Sequence, residues 1–494
     1  MALTVAGRAL LAVGIIGLVG GGIMYAKKGG GLTKMAGGAS PTIKVGLNTW
    51  SGFIGVFKAN NGLKANVDSD FYKKYGVLVD ISIIDDAAAG KSAFLNGDID
   101  VYQATVDSVA PDAKGLSAAD FKYIVQTDWS YGGDAIVVRD GITNVSQLRG
   151  KTIAVTEGSP SHTLLINVAK SGGLDLNDVT IVKVNDGLKA GELFKAEKVD
   201  AAVVWSPDDQ ACIEKVKGSM ILVSTKKANR IIADALYAKA DYIQKHPKEI
   251  KALVEGILAA NAAINSDSTS KEDAIKVLSR VFNQSDADSK IGIENARLAT
   301  LGDNKNFFGL NRDYNGVTAE DLYSKMGDVW QELKMCGADR PMWRNIVDTS
   351  VLQSINLVGP AHDAEPAASF EKISVAKAVN MPAFSNKKIE VNFGVNSAEL
   401  DATARGVIRS KFAGWAQGFE KARILIEGNT DNTGPDSINI PLSRRRAESA
   451  KQYIVSTYGV DPNRITVVGN GARYASASAE PERANDRRTD FKLQ

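Results

Sequence analysis

The chain has 494 residues, 44% of them hydrophobic, with 59 Lys plus Arg against 57 Asp plus Glu and a formal net charge of +2. At roughly 150 residues per domain this suffices for about three globular units and excludes disorder or a small disulfide scaffold. Near-neutrality leaves no whole-molecule field to gather nucleic acid. Two cysteines (Cys212, Cys336) and three histidines (His162, His246, His362) lie far apart without zinc or thioredoxin spacing, so neither a metal nor a cofactor is expected.

Residues 1–8 are expected in the cytoplasm. Residues 9–26, ALLAVGIIGLVGGGIMYA, carry no charged side chain, against a mean hydropathy of −0.12 for the chain. At about 18 residues this is the short end for a transmembrane helix. A secretory signal would need small residues before its cut, but Met24 stands three from Ala26. The segment is therefore read as an uncleaved, single-pass inner-membrane anchor, with a secretory signal peptide behind Arg8 as the alternative, and the absence of a following Cys excludes a lipoprotein. Gly17 and Gly21 are spaced for close helix approach and a homodimer, or simply belong to a glycine-rich anchor. A force-coupling stator would need an ion-relaying carboxylate here, and none is present. Residues 27–41 (KKGGGLTKMAGGASP) read as a flexible tether.

A folded unit is expected over 42–356. Its predicted strands are Ile43–Leu47, Leu78–Ile84, Ala135–Val138, Thr152–Val155, Val179–Val184, Ala201–Val204 and Met220–Val223, with helices between them. This rhythm indicates α/β architecture with parallel sheets. Apolar residues at three- and four-residue spacing predict a helix over Ile243–Ala263, and mostly helix from there to Asn356. Residues 357–387, with Pro360, Pro366 and Pro382, read as a linker. An α+β unit follows over 388–494, with strands at Ile389–Phe393, Ala422–Glu427, Ile465–Gly469 and Thr489–Leu493 and helices at Ala402–Gln417 and Leu442–Tyr458.

In the larger unit four loops at strand ends suit a ligand: NTWSGF after the first strand, DWSYGGD, EGSPSHTLL, and WSPD. Free N–H groups and hydroxyls at the helix start in EGSPSHTLL would accept an anionic or zwitterionic head group. Asp85, Asp86, Asp134 and Asp208 are either turn and cap residues or, beside Trp50, Trp129 and Trp205, the wall of a site for a cationic or zwitterionic ligand. The residues leave both open. The segments IKVGLNTWSGF, AFLNGDIDVYQAT, GGDAIVVRDGITNVSQLRGKTIAVTEGSPSHTLL and KAEKVDAAVVWSPD resemble the solute-binding proteins of ABC importers for taurine, sulfonates, nitrate or a thiamine precursor. The resemblance implies a two-lobed periplasmic-binding-protein-like domain holding a small-molecule solute in its cleft. Trp50, Ser51, Thr105, Trp129, Ser159, Ser161, His162 and Trp205 stand at the matching positions.

The smaller unit is more explicit. GNTDNTG ends a strand in a turn, SINIPLSRRRA opens a helix, and RANDRR closes the set. A carboxylate on the turn facing an arginine on the helix suits a zwitterion, because the guanidinium grips a carboxylate as a planar fork. These motifs resemble the OmpA-like peptidoglycan-binding domain shared by OmpA, Pal and MotB proteins. The resemblance implies that Asp431 and Arg446 hold the zwitterionic end of diaminopimelate, with Asn432, Thr433, Asn439 and Arg487 around them. Leu442 and Arg488 also match, whereas Asn429 replaces a common His and Asp486 a usual Asn. Acids interrupt the basic run, so no phosphate-tracking stripe for nucleic acid is expected.

The sequence thus predicts an inner-membrane-anchored periplasmic protein of a Gram-negative cell envelope that binds peptidoglycan and captures or senses a small solute. The alternative is a structural spacer, or partner platform, between membrane and wall whose solute domain no longer binds a ligand. No nucleophile elbow or oxyanion motif is present, and no enzymatic activity is expected.

Overall fold

A computed structural model describes residues 42–389, 391–394, 396–475 and 486–494. The apolar segment 9–26, its tether and residues 483–485 of the closing motif lie outside them. No helix among the described residues is long and apolar enough to cross a membrane.

Short valine- and isoleucine-rich runs form the first two sheets. Their strands are β1 (Thr42–Leu47), β2 (Leu78–Ile83), β3 (Val101–Thr105), β4 (Phe121–Ser130), β5 (Asp134–Val138), β6 (Thr152–Thr156), β7 (Thr180–Val184), β8 (Ala201–Trp205), β9 (Met220–Ser224), β10 (Ala233–Lys239) and β11 (Ala296–Leu298). The first lobe is built on the order β11-β4-β10-β3-β1-β2, the second on β7-β6-β8-β5-β9. The chain crosses between lobes twice, from β4 into β5 and from β9 into β10. The crossings are stitched together: Ser130 Oγ lies 3.0 Å from Thr225 Oγ1, which also accepts the Gly132 N–H at 2.7 Å.

Both sheets are mixed, not parallel as the strand–helix rhythm suggests. The crossing strands run against their neighbours: β10 is antiparallel to β3 and β4, and β5 to β8 and β9. β4 and β10 are missing from the predicted strands because both are buried on both faces, which erases the alternation that marks a half-buried strand. Helix Ile243–Ala263 is two helices, Ala240–Lys245 and Pro247–Ser266, broken before Pro247, whose missing N–H suits a helix start.

The third sheet, β12 (Ser385–Ile389), β13 (Ile424–Gly428), β14 (Ile465–Gly469) and β15 (Thr489–Leu493), has the order β12-β15-β13-β14. β12 precedes the predicted Ile389–Phe393 because its partner β15 begins at Thr489, opposite Ile389. Val391 and Phe393 stay buried without pairing. The helix at Ala402 passes through a π turn at Arg409–Ala413.

The third sheet shares an apolar cluster with the second lobe, containing Val145, Leu165 and Val168 as well as Phe384, Phe419 and Ile426. Polar ties reinforce it: Ser385 Oγ donates to Ser171 O at 2.6 Å, and Val145 N to Phe384 O at 2.9 Å. Glu365 pairs with Arg230 at 2.6 Å and with Arg297 on β11 at 3.0 Å, while Arg230 also reaches Glu420 at 2.8 Å. Residues of the first lobe, the β9–β10 crossing, the 357–387 segment and the C-terminal unit therefore meet at one half-buried ion cluster.

Candidate functional site

Two glycines set the geometry of the C-terminal site. A Cβ on Gly428 would lie 2.0 Å from Ser443 O, and one on Gly469 2.6 Å from Ile440 O. Only glycine lets the Asp436–Tyr458 helix lie this close to the ends of β13 and β14. Arg444 and Arg445 on that helix are exposed, whereas Arg446 is 1% exposed. Its Nε donates to Ser397 O at 3.0 Å, its Nη2 to Gly394 O at 3.1 Å, and the guanidinium lies 5.2 Å from the Phe393 ring centroid. Nη1 is buried without a hydrogen-bond partner among the described residues. Burial, with Arg487 nearby, brings the Arg446 pKa down to about 10 against the pull of Asp431.

Asp431 Oδ1 accepts the Thr433 N–H at 3.1 Å and the Thr433 hydroxyl, and Oδ2 accepts Arg487 Nη1 at 2.8 Å. Burial works against its charge, but the hydrogen bonds from Thr433 and Arg487 outweigh it and hold the carboxyl below its usual range. Asn439 Nδ2 ties the turn to Gly434 O at 3.1 Å, and Asn432 stands exposed on it. Of the replaced motif residues, Asn429 donates to Asp490 at 3.1 Å and Asp486 pairs with Arg488. Both stabilise the sheet end. The arrangement presents a buried guanidinium N–H close to an ionised carboxylate, which is complementary to a zwitterion.

In the larger unit the predicted residues divide. Trp50, Ser161 and Trp205 converge on the crossing strands. Trp50 Nε1 donates to Asp128 at 3.0 Å, Ser161 Oγ to Asp134 at 3.1 Å, and Trp205 Nε1 to Ser161 Oγ at 2.8 Å. Trp205, 41% exposed, forms the rim. Trp129 does not wall the cleft: it is buried in the first lobe's core with its ring 5.1 Å from Phe307 and Arg230 over it. Thr105 pairs with Ser108 at 2.5 Å, and Ser51 abuts Gly292. Asp85 accepts Thr49, Asp86 caps a helix and Asp208 holds Lys195, so these three are structural.

At the helix start of EGSPSHTLL the side chains and Gly158 are engaged locally, whereas the first-turn N–H groups of Ser161 and His162 have no intrahelical acceptor. Gly158 N–H is taken by His162 Nδ1 at 3.2 Å, Ser159 Oγ turns back to Thr156 O at 2.7 Å, and Pro160 has no N–H. His162 is buried, which lowers its pKa to about 4 and keeps it neutral.

The His162 ring packs edge-on against Trp330, centroids 5.2 Å apart. Trp330, on the helix Ala319–Glu332, is fully buried and donates its indole N–H to Asp107 O at 2.8 Å. Asp107 follows β3 in the first lobe, and His162 begins a helix of the second. On the same helix Met326 Sδ receives Asn167 at 3.5 Å, and just beyond its end Met335 approaches Gly158. A segment of the helical extension thus fills the space between facing loops of the two lobes. Residue pattern does not reveal this, because a buried tryptophan on an amphipathic helix reads as ordinary core.

Four aspartates also escaped notice as a group: Asp107, Asp128 on β4, Asp134 on β5 and Asp234 on β10. Asp234 lies opposite both Thr105 and Asp128 in the sheet. Carboxylates inside KYIVQTDWS and ADALYA were the available signal, since a charge inside an apolar strand is costly unless it has a role. Burial pushes Asp107 and Asp128 up to about 7 and Asp134 up to about 6, with Asp234 also raised. Between about pH 4 and 7 the folded state therefore holds protons that the unfolded chain releases, and stability falls as pH rises through this window. His162 opposes this with one proton over roughly pH 4 to 6.5. Thermal unfolding of the ligand-free chain should show a larger loss of Tm from pH 5 to pH 8 than in Asp128→Asn. Equal slopes would show that the cluster does not set the pH response.

The family comparisons agree with this division. Residues 392–489 match the OmpA family and residues 49–279 the NMT1-like family. Outer membrane protein A of Bordetella avium is 29% identical over 178 residues, 36% of this chain and 84% of that protein. The peptidoglycan-binding protein ArfA of Mycobacterium tuberculosis is 34% identical over 146 residues, 29% of this chain and 43% of that protein. A binding protein of Brucella abortus is 26% identical over 196 residues, 37% of this chain, and the match spans 61% of the relative's length. Among solved structures, the periplasmic aliphatic sulphonate binding protein SsuA of Escherichia coli superposes with a TM-score of 0.50 at 17% identity, covering 68% of this chain and 97% of that one. The chain joins an NMT1-like, periplasmic-binding-protein-like domain to an OmpA domain.

Proposed function

We propose that this protein is a cell-envelope protein of the periplasm, held to the inner membrane by residues 9–26, that grips peptidoglycan through diaminopimelate and captures or senses a small solute. It is not an enzyme on this reading. The observation that carries it is the buried Nη1 of Arg446, without a hydrogen-bond partner among the described residues, beside the ionised Asp431, in a domain matching the OmpA family. An ammonium would replace Arg487 at Asp431 while a carboxylate meets Arg446. Retention on isolated sacculi is the test, and its variants are treated in the Discussion.

The membrane part is tested separately. Alkaline phosphatase fused after Gly31 should be active, since the wall ligand lies outside the cytoplasm. An inactive fusion would reverse the orientation.

The filled cleft favours a second reading, in which the solute domain is a spacer or partner platform between membrane and wall. Trp330 and Met326 bridge the lobes in place of a solute, and the Glu365 cluster ties the first lobe and the β9–β10 crossing to the OmpA domain.

A further inference from the structure

We infer that the junction between the NMT1-like domain and the OmpA domain is a further ligand site, one that takes a small hydroxylated monocarboxylate of the sugar-acid type. The site depends neither on the wall contact nor on solute entry between the lobes. A cavity of about 370 Å³ lies there, within the range of small-molecule pockets. Its walls come from the loop after the Leu301–Phe307 helix, from the 357–387 segment and from the OmpA domain. Gln417 Nε2 of the OmpA domain joins two of these walls by donating to Asn315 O at 2.8 Å.

Arg464, which lines the cavity, supplies the charge. The residue is 4% exposed; its Nε donates to Ala422 O at 2.7 Å, and its Nη2 to Ala416 O at 2.8 Å and Phe419 O at 2.6 Å. Closing that helix end occupies Nε and Nη2 only. Nη1 meets no acceptor, and no carboxylate pairs with Arg464, among the described residues. A charge withdrawn from water without a counter-ion is costly, and burial brings the Arg464 pKa down to about 10. Arg446 at the wall site is built in the same way, with Nε and Nη2 on backbone carbonyls, a phenylalanine ring alongside and Nη1 left over. For Arg464 the ring is Phe370, 5.9 Å from the guanidinium. Both guanidiniums are fixed in advance, each with an N–H edge left for a carboxylate oxygen.

The acids around the cavity limit the ligand to one negative charge. Glu365 and Glu420 are paired with Arg230, Asp461 accepts the N–H groups of Phe370 and Asn463 at 2.7 Å each, and Asp313 lies exposed on the loop. One unmatched guanidinium among these acids admits a monoanion and repels a phosphate dianion or a polycarboxylate. The neutral groups call for hydroxyls. Tyr314 and Asn306 line the same cavity, and Tyr314 Oη and Asn306 Nδ2 make no hydrogen bond among the described residues, whereas Asn306 Oδ1 accepts Asn311 Nδ2 at 2.8 Å. The Tyr314 hydroxyl is set over Gly316, where a Cβ would collide with it. A phenol and an amide N–H beside a guanidinium match a carboxylate whose neighbouring carbons carry hydroxyls.

The test uses the full chain at pH 7 with three probes, in titration calorimetry and in hydrogen exchange: D-glucuronate, D-glucose, which has a hydroxymethyl group in place of the carboxylate, and acetate, which lacks the hydroxyls. Glucuronate should bind at least about tenfold more tightly than glucose or acetate, the worth of a hydrogen bond to a charged group. It should also slow exchange of the Ala368 and Phe370 N–H groups, which hold Glu420 and Asp461 in the cavity wall. Arg464→Gln should weaken glucuronate at least about tenfold. Because Arg464 also closes a helix end, Tyr314→Phe is the second variant; it keeps the ring, removes only the hydroxyl, and should weaken glucuronate about two- to tenfold. Equal binding of glucose would overturn the carboxylate assignment. Glucuronate binding that neither variant moves would overturn the junction site while leaving solute capture between the lobes intact. Silence of all three probes in the wild-type chain would overturn the inference outright.

Discussion

Sacculi carrying diaminopimelate stems should retain the wild-type chain and release Arg446→Ala and Asp431→Ala. Truncating one member of a buried, hydrogen-bonded charge pair costs about 2–5 kcal/mol of binding, at least about thirtyfold in affinity. Arg446 belongs at the upper end, because its side chain is already desolvated and anchored by Ser397 O and Gly394 O before any ligand arrives. That preorganisation leaves Nη1 as the reporting group. Arg446→Lys keeps the charge but loses the fork and both carbonyl anchors, so it should recover little of the binding. Asp431 is held below the usual carboxylate range, so retention should be flat from pH 5 to 8, where Asp431 stays ionised. Equal retention of wild type and both alanine variants would remove this pair from the wall contact.

The C-terminal unit was more legible in sequence than the larger one, and the reason is local. Asp431, Thr433 and Asn439 sit in one short turn-and-helix motif, and Arg446 follows two helical turns later, so chain spacing alone brings them together. Even there, sequence could not show that Arg487 would neutralise Asp431 in the ligand-free state, because that pair spans 56 residues. The solute cleft depends on contacts across much longer separations. Asp107 and Trp330 are 223 residues apart, and no local pattern links them. The same holds for Asp128 and Asp234, which become neighbours only because β10 returns antiparallel beside β4. Trp129 shows the converse error. Its place at a strand end next to Ser130 suggested a ligand wall, but the strand edge there is covered by β11 and the Phe307 helix, so the side chain turns into core.

The ion cluster at Glu365 changes what lobe opening requires. In a free two-lobed binder the crossings alone limit the hinge. Here Glu365 and Asp363 of the 357–387 segment are tied to Arg297, Thr300 and Asp303 on the first-lobe side, while Ser385 and Phe384 hold the second lobe. Opening the cleft must disturb these ties or move the OmpA domain with the second lobe.

Trp330→Ala should lower the stability of the solute domain by about 3–5 kcal/mol, the range for deleting a large buried aromatic side chain. At about 2–4 °C per kcal/mol for domains of this size class, Tm should fall by roughly 6–20 °C. The magnitude alone would fit any buried tryptophan, so a second readout is needed. Removing the indole takes away the surface against which His162 packs and admits water to the cleft. The His162 pKa, lowered by burial to about 4, should then climb towards the ordinary value near 6.5. Only three histidines are present in the chain, so their ring protons can be followed individually by NMR through a pH titration, with His246 and His362 as internal references. A large Tm loss with His162 still titrating near 4 would mean that Trp330 supports the first lobe without sealing the cleft. A large Tm loss together with a rise in the His162 pKa would place this one side chain between the two lobes, as the group any solute must displace.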